Sequence, residues 1–329
     1  MRKKGVLLIA AAALLCAAPP AMAEKQTLAV VVKGLDNPFF AAVAKGCKDW
    51  NEKNAKSDYE CVSSGPEMSS DSAGQIQIVE KLIDSGAAAI AVAPSDPSAM
   101  ARAILAKSPS MPIITYDTDF GIGHRYLRKT FLGTDNHEIG VLMAKLLMKY
   151  KPDGGTVCLQ LGIKWNEKIS ARAQGFRDAI GGEPGTGRLE DTNGWSEIAG
   201  CPVYSEERID VAIDQMETIV DANPELGAFI PVGGWAQFSA PAYAQLASKF
   251  RDRLDSRKLV VIAGDTLPPQ MAALKAGNSH GQIGQRPVEL GQQAPDILIQ
   301  LIREKEVDDP TYVGIDQCAP ENADRCLTR

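Results

Sequence analysis

The chain has 329 residues, with 35 Lys and Arg against 41 Asp and Glu and a formal charge of −6. An acidic surface repels phosphate backbones and anionic headgroups, which excludes nucleic acid and anionic membrane as partners. After residue 23 no segment stays apolar over the roughly 20 residues that a membrane-spanning helix needs.

Residues 1–23 read as a cleaved secretory signal peptide. Arg2, Lys3 and Lys4 form a basic start, 5–18 is apolar, and Ala21-Met22-Ala23 offers small residues for cleavage. Cleavage there removes three cations and no acid, taking the charge from −6 to −9. The expected product is a soluble monomer exported to the periplasm. Cys16 has no small residue immediately before it, which argues against a lipid anchor. Export also sets the reading of the other six cysteines, because an even count in an oxidising compartment favours disulfides over metal. Many pairings are open, and chain position suggests Cys47 with Cys61, Cys158 with Cys201, and Cys318 with Cys326. No CxxC occurs and His124, His137 and His280 are scattered, so neither a metal nor another cofactor is expected.

The mature chain opens on Leu28-Ala29-Val30-Val31-Val32, an unbroken apolar run that suits a parallel strand covered on both faces. Asp36 or Asn37 can cap the helix that follows, and Pro38 fits its first position, where the missing N–H costs nothing. Phe40, Val43, Cys47 and Trp50 recur at helical spacing, which packs this helix back on the sheet. Phe39 and Phe40 then sit beside the strand's carboxyl end, where open α/β sheets bind ligands. Further strands are predicted at 59–62, 88–92, 111–116, 156–161, 228–231, 259–263 and 280–283, with helices between them. Ile76, Val79 and Ile83 give one helix its buried stripe, Val141, Leu142, Leu146 and Leu147 another, and 209–220 repeats the pattern. Turn-rich 182–187 and 192–196 read as surface loops. Alternating βα units predict an α/β fold with mostly parallel, doubly wound sheets. The length favours two lobes, and the units before and after about Thr134 look like two copies of one plan.

Polar and aromatic groups recur directly after the strands. They include Asn37, Phe39 and Phe40 after the first, Asp117 after the fourth, and Trp165 in the segment after Leu161. Trp235 follows Gly233-Gly234, Asp265 follows Gly264, and Gln285 follows the last predicted strand. Two facing rims of this kind make a polar cleft flanked by rings, suited to a neutral polyhydroxylated ligand. Carboxylates accept hydrogen bonds from hydroxyls, while aromatic faces cover the ligand's C–H surface. A second reading takes Asp117 and Asp265 as the paired carboxylates of a hydrolase. However, no G-x-S-x-G, GxGxxG or Walker motif is present and the histidines form no triad, so the chain is read as a binder and not an enzyme.

Leu35-Asp36-Asn37-Pro38-Phe39-Phe40 resembles the opening of the periplasmic ribose-binding-protein family. Ala93-Pro94-Ser95-Asp96, Pro112-Ile113-Ile114-Thr115-Tyr116-Asp117, Gly133-Thr134-Asp135-Asn136, Arg172-Ala173-Gln174-Gly175-Phe176, Ile262-Ala263-Gly264-Asp265 and Gly284-Gln285 resemble its later signatures in the same order. The resemblance implies the type I periplasmic binding protein fold, two doubly wound parallel-sheet lobes joined by a hinge. The implied N-terminal lobe is 24–134 plus about 286–313, and the C-terminal lobe 135–285 plus about 314–329. It implies ligand contacts at Asn37, Phe39, Phe40, Asp117, Arg172, Asp265 and Gln285. Asp117 and Asp265 would each hold adjacent hydroxyls, and Arg172 would donate to a ring or hydroxyl oxygen. Asp135 and Asn136 are expected to cap the next helix.

The chain also departs from that family. Ala93, Thr118 and Ser170 stand where it has an asparagine and two arginines, and Gly233-Gly234 replaces an N-D pair. With those donors gone and Trp165 and Trp235 close by, the ribose contact set is not preserved. Another monosaccharide or a sugar alcohol is expected, with both tryptophans among its contacts. The implied role is that of the binding protein of an ABC importer, closing on its ligand and presenting it to permease subunits in the inner membrane. The alternative is a sensing protein that presents a sugar-like signal to a sensor kinase or chemoreceptor.

Overall fold

The computed structural model describes residues 25–164 and 166–327. The expected signal peptide and Trp165 lie outside the described residues. The first unit alternates β1 (Gln26–Val31), α1 (Pro38–Lys53), β2 (Tyr59–Ser64), α2 (Ser72–Asp84), β3 (Ala89–Val92), α3 (Pro97–Lys107), β4 (Ile113–Tyr116) and β5 (Phe131–Gly133). The second opens with α4 (Asn136–Tyr150), β6 (Gly155–Leu161), α5 (Glu167–Gly181), β7 (Trp195–Glu197), β8 (Val203–Tyr204) and α6 (Ile209–Ala222). It continues through β9 (Ala228–Pro231), α7 (Ala240–Lys249), α8 (Arg251–Asp255), β10 (Val260–Gly264), α9 (Pro268–Lys275) and β11 (Gly281–Gly284). The chain closes with α10 (Pro287–Ile302), β12 (Thr311–Tyr312) and β13 (Asp316–Cys318).

The strands form two sheets. The first has the order β2-β1-β3-β4-β5-β12 and is parallel throughout. The second runs β7-β6-β9-β10-β11-β13, with β8 also on β6, and only β13 is antiparallel. The fold is therefore α/β with two doubly wound parallel-sheet lobes, as the alternation of units requires. After β5 the chain enters the second sheet. After β11 it returns as α10, whose Leu290 and Leu298 join the core of the first lobe. β12 then joins the first sheet and β13 the second. Three segments thus cross between the lobes.

Burial on both faces explains why the strands are apolar runs. Leu28, Val30 and Val32 pack with α1 and α10, while Ala29 and Val31 face the cluster under α2 and α3. Asn37 caps α1, its side-chain oxygen accepting from the Phe39 N–H at 2.9 Å, and Pro38 takes the first helical position. Behind each site-bearing rim, two helices meet through glycines. A Cβ on Gly46 of α1 would lie 2.1 Å from the Val288 carbonyl, and one on Gly291 of α10 2.0 Å from that of Val43. In the second lobe a Cβ on Gly140 of α4 would lie 1.9 Å from the Arg172 carbonyl, and one on Gly175 of α5 1.9 Å from that of His137.

The glycine contact corrects the expected stripe on α4. The buried residues are Ile139, Gly140, Met143, Ala144 and Leu147, whereas Val141, Leu142 and Leu146 are only partly buried. Leu147 is buried as expected, but the inner face runs through Ile139, Gly140 and Met143 beside the predicted stripe, with Gly140 meeting α5. The loop expected at 192–196 is also corrected. Trp195 begins β7, pairs with Gly155 of β6 and is 1% exposed. The three disulfides join Cys47 to Cys61, Cys158 to Cys201 and Cys318 to Cys326. They tie α1 to β2, β6 to the approach of β8, and β13 to the tail.

Candidate functional site

The carboxyl ends of β4 and β10 carry the same local device. Tyr116 and Gly264 end the two strands, and the next residue in each case is an aspartate in the left-handed region, Asp117 at φ 58° and Asp265 at φ 67°. In both, the backbone N–H donates to the neighbouring strand, Asp117 to the Leu132 carbonyl at 3.1 Å and Asp265 to that of Ile283 at 3.0 Å. Left-handed backbone at a residue other than glycine is costly, and such outliers cluster at functional sites. Here the turn swings each carboxylate away from its strand and into the space between the lobes.

Both aspartates line one small cavity of about 40 Å³. The other expected site residues that the structure describes, Asn37, Phe39, Phe40, Arg172, Trp235 and Gln285, line it too. The pivot of β1 into α1 brings Phe39 and Phe40 to its wall, their rings edge to face at 5.2 Å. Trp235 is 6% exposed, and its indole fills the space where Gly162 or Gly233 would carry a Cβ. The glycine pair has a second role. A Cβ on Gly234 would meet the Gln270 amide at 2.4 Å, and without one the Gly234 N–H comes close enough to donate to Asp265 Oδ2 at 3.1 Å.

Among the described residues, three polar atoms at this cavity are buried without a partner: Arg172 Nη2, Asp265 Oδ1 and Gln285 Oε1. Leaving such a group unsatisfied costs about 1–3 kcal/mol, more if charged, so together they define where a ligand completes the structure. Arg172 is otherwise held by the protein, its Nε donating to Asn136 Oδ1 at 2.9 Å and its Nη1 to the Val232 carbonyl at 2.6 Å. Asn136 therefore serves to orient Arg172, while Asp135 alone caps α4 by accepting from the Glu138 N–H.

Lys33, Lys168, Glu207 and Phe238 also line the cavity and were not among the residues expected from sequence. Lys168, from the second lobe, reaches both oxygens of Asp117 at 3.0 and 3.1 Å, and Lys33 lies 3.7 Å from one of them. Burial acts to raise the Asp117 pKa, but Lys168, Lys33 and Arg172 outweigh it and hold the carboxyl below its usual value. The same burial lowers the Lys168 ammonium and the Arg172 guanidinium. Sequence signals for the two lysines existed. Lys33 follows the first strand directly, and Lys168 precedes Arg172 by four residues, which puts them on one helix face.

Comparison with known proteins places this geometry. The family model described as periplasmic binding protein domain matches residues 28–306. The chain belongs to the periplasmic binding protein family. Among curated relatives, a D-ribose/D-allose-binding protein of Pseudomonas aeruginosa is 30% identical over 161 residues, 48% of this chain and 50% of that one. The chain matches only about half the length of that relative. A ribose import binding protein of Salmonella typhimurium is 23% identical over 93% of this chain and 95% of its own length. Among solved structures, an ABC transporter solute-binding protein of Agrobacterium vitis with bound D-fucose superposes with a TM-score of 0.76. It is 23% identical and the match covers 91% of this chain and 97% of that one, which shows a shared fold. Within the periplasmic binding protein fold, the cavity lies between the two lobes at their strand tips, where doubly wound sheets bind ligands.

Proposed function

We propose that this protein is the periplasmic substrate-binding component of an ABC importer, which closes its two lobes on a monosaccharide or sugar alcohol. The observation that carries this reading is the pair of left-handed aspartates, one per lobe, around a cavity with three buried unpartnered polar atoms. Asp265 Oδ1 and Gln285 Oε1 accept from hydroxyls, Arg172 Nη2 donates to a ring or hydroxyl oxygen, and Phe39, Phe40 and Trp235 cover the C–H surface. The names of the relatives, which speak of ribose, allose and fucose, support the same class. A cavity of about 40 Å³ holds only about three or four waters at roughly 10–15 Å³ each. A pyranose enters when the lobes part and Lys168 leaves Asp117. Residues 24–134 with about 286–313, and 135–285 with about 314–329, are the two bodies of that motion, and the closed form is what the permease subunits recognise.

Thermal unfolding of the exported protein against a library of monosaccharides and polyols tests this reading. A ligand at a thousandfold excess over Kd adds about 4 kcal/mol of apparent stability, so at least one compound raises Tm by several degrees. A folded protein that responds to none of them contradicts it.

A further inference from the structure

The inter-lobe space does not end at the Asp117–Lys168 pair. Both residues line the inner cavity, and both also line a second cleft of about 750 Å³. Among the described residues these are the two side chains that line both spaces, and one of them, Lys168, is long and able to rotate. Both lobes build the outer cleft, with Arg125 of the first lobe 3.5 Å from Glu167 of the second. Its charged walls carry both signs, which gives no preference for an ionic ligand. Tyr312, a residue 51% exposed, lines it beside polar side chains. Thr134 on its wall is 1% exposed, and its hydroxyl is buried with no hydrogen-bond partner among the described residues. An exposed aromatic residue, mixed donors and acceptors, and an unmatched buried hydroxyl are the features that recognise a sugar ring.

We propose that the outer cleft is a second glycosyl subsite, so that a disaccharide or glycoside whose terminal monosaccharide fills the inner cavity gains further contacts there. One ring sits in the inner cavity and the next lies over Tyr312. This rests on the reading of the inner cavity as a sugar site. Hydroxyls of the first ring take the place of the Lys168 ammonium on Asp117. The released ammonium then stands beside the linkage, where it donates to the glycosidic or neighbouring ring oxygen.

The test is calorimetric titration of the exported protein with a set of disaccharides, each alongside its constituent monosaccharides. At least one disaccharide is expected to bind about tenfold or more tightly than either constituent. Tyr312→Ala should reduce that advantage to about twofold or less, and Tyr312→Phe, which keeps the ring, should retain it. Tyr312 is exposed on a short edge strand, so neither change threatens the core. Monosaccharides that bind while every disaccharide binds no better overturn the second subsite and leave the inner site standing. Absence of binding by either class, with the protein folded, overturns both.

Discussion

Asp265→Asn is expected to weaken sugar binding by about a hundredfold or more while leaving the free protein's melting temperature within a degree or two. Asparagine tolerates the left-handed backbone at φ 67°, so the turn after β10 survives. The loss is chemical. One carboxylate oxygen accepts from the Gly234 N–H and the other is the unpartnered acceptor at the cavity. An amide has a single oxygen, so it must present N–H₂ either to Gly234 or to the ligand's hydroxyls. Hydrogen bonds to a charged acceptor are worth about 1.5–3 kcal/mol each, and two of them correspond to roughly a hundredfold or more in Kd. Titration of the two proteins with the same sugar measures it. Equal affinity would remove Asp265 from the site.

Gly175→Ala is expected to cost about 3 kcal/mol of stability or more and to weaken binding with it. The added methyl would lie 1.9 Å from the His137 carbonyl, so α4 and α5 must part along the line where Gly140 already brings them together. Overpacking of this kind costs typically about 1–3 kcal/mol and here meets backbone, which cannot rotate away. For a lobe of this size the drop corresponds to roughly 6–12 °C in Tm. The Arg172–Asn136 hydrogen bond spans the same two helices, so the guanidinium that faces the cavity shifts with them. Thermal unfolding and sugar titration of the variant check both effects. A variant that melts with the parent would mean that the two helices adjust freely.

The frame of this protein was legible because the strands that build it are buried on both faces. The run from Leu28 to Val32 could be little else, and Asn37 and Pro38 mark the helix start through capping chemistry that acts locally. The two aspartates were legible from their place one residue beyond an apolar strand. Less legible was whatever depends on a partner distant in sequence. β7, β8, β12 and β13 are two or three residues long, so no alternation can develop in them, and each exists because a neighbouring strand is already in place. The inner face of α4 was only partly legible because Gly140, which meets α5 by being small, lies on it with Ile139, Met143 and Leu147. Gly233-Gly234 read as the loss of two polar side chains, whereas the structure uses the missing Cβ to bring a backbone N–H onto Asp265. Lys33 and Lys168 went unremarked because a lysine is normally a solvated surface group. Only the fold shows that both converge on one carboxylate from opposite lobes.

The crystal structure of the protein with its tightest-binding sugar tests the central claim most directly. The account predicts one molecule between the lobes, with hydroxyl oxygens about 2.5–3.0 Å from carboxylate oxygens of both Asp117 and Asp265, and Lys168 moved off Asp117. A sugar that touches only one lobe, or that binds with the Lys168–Asp117 pair intact and Asp265 uncontacted, contradicts it.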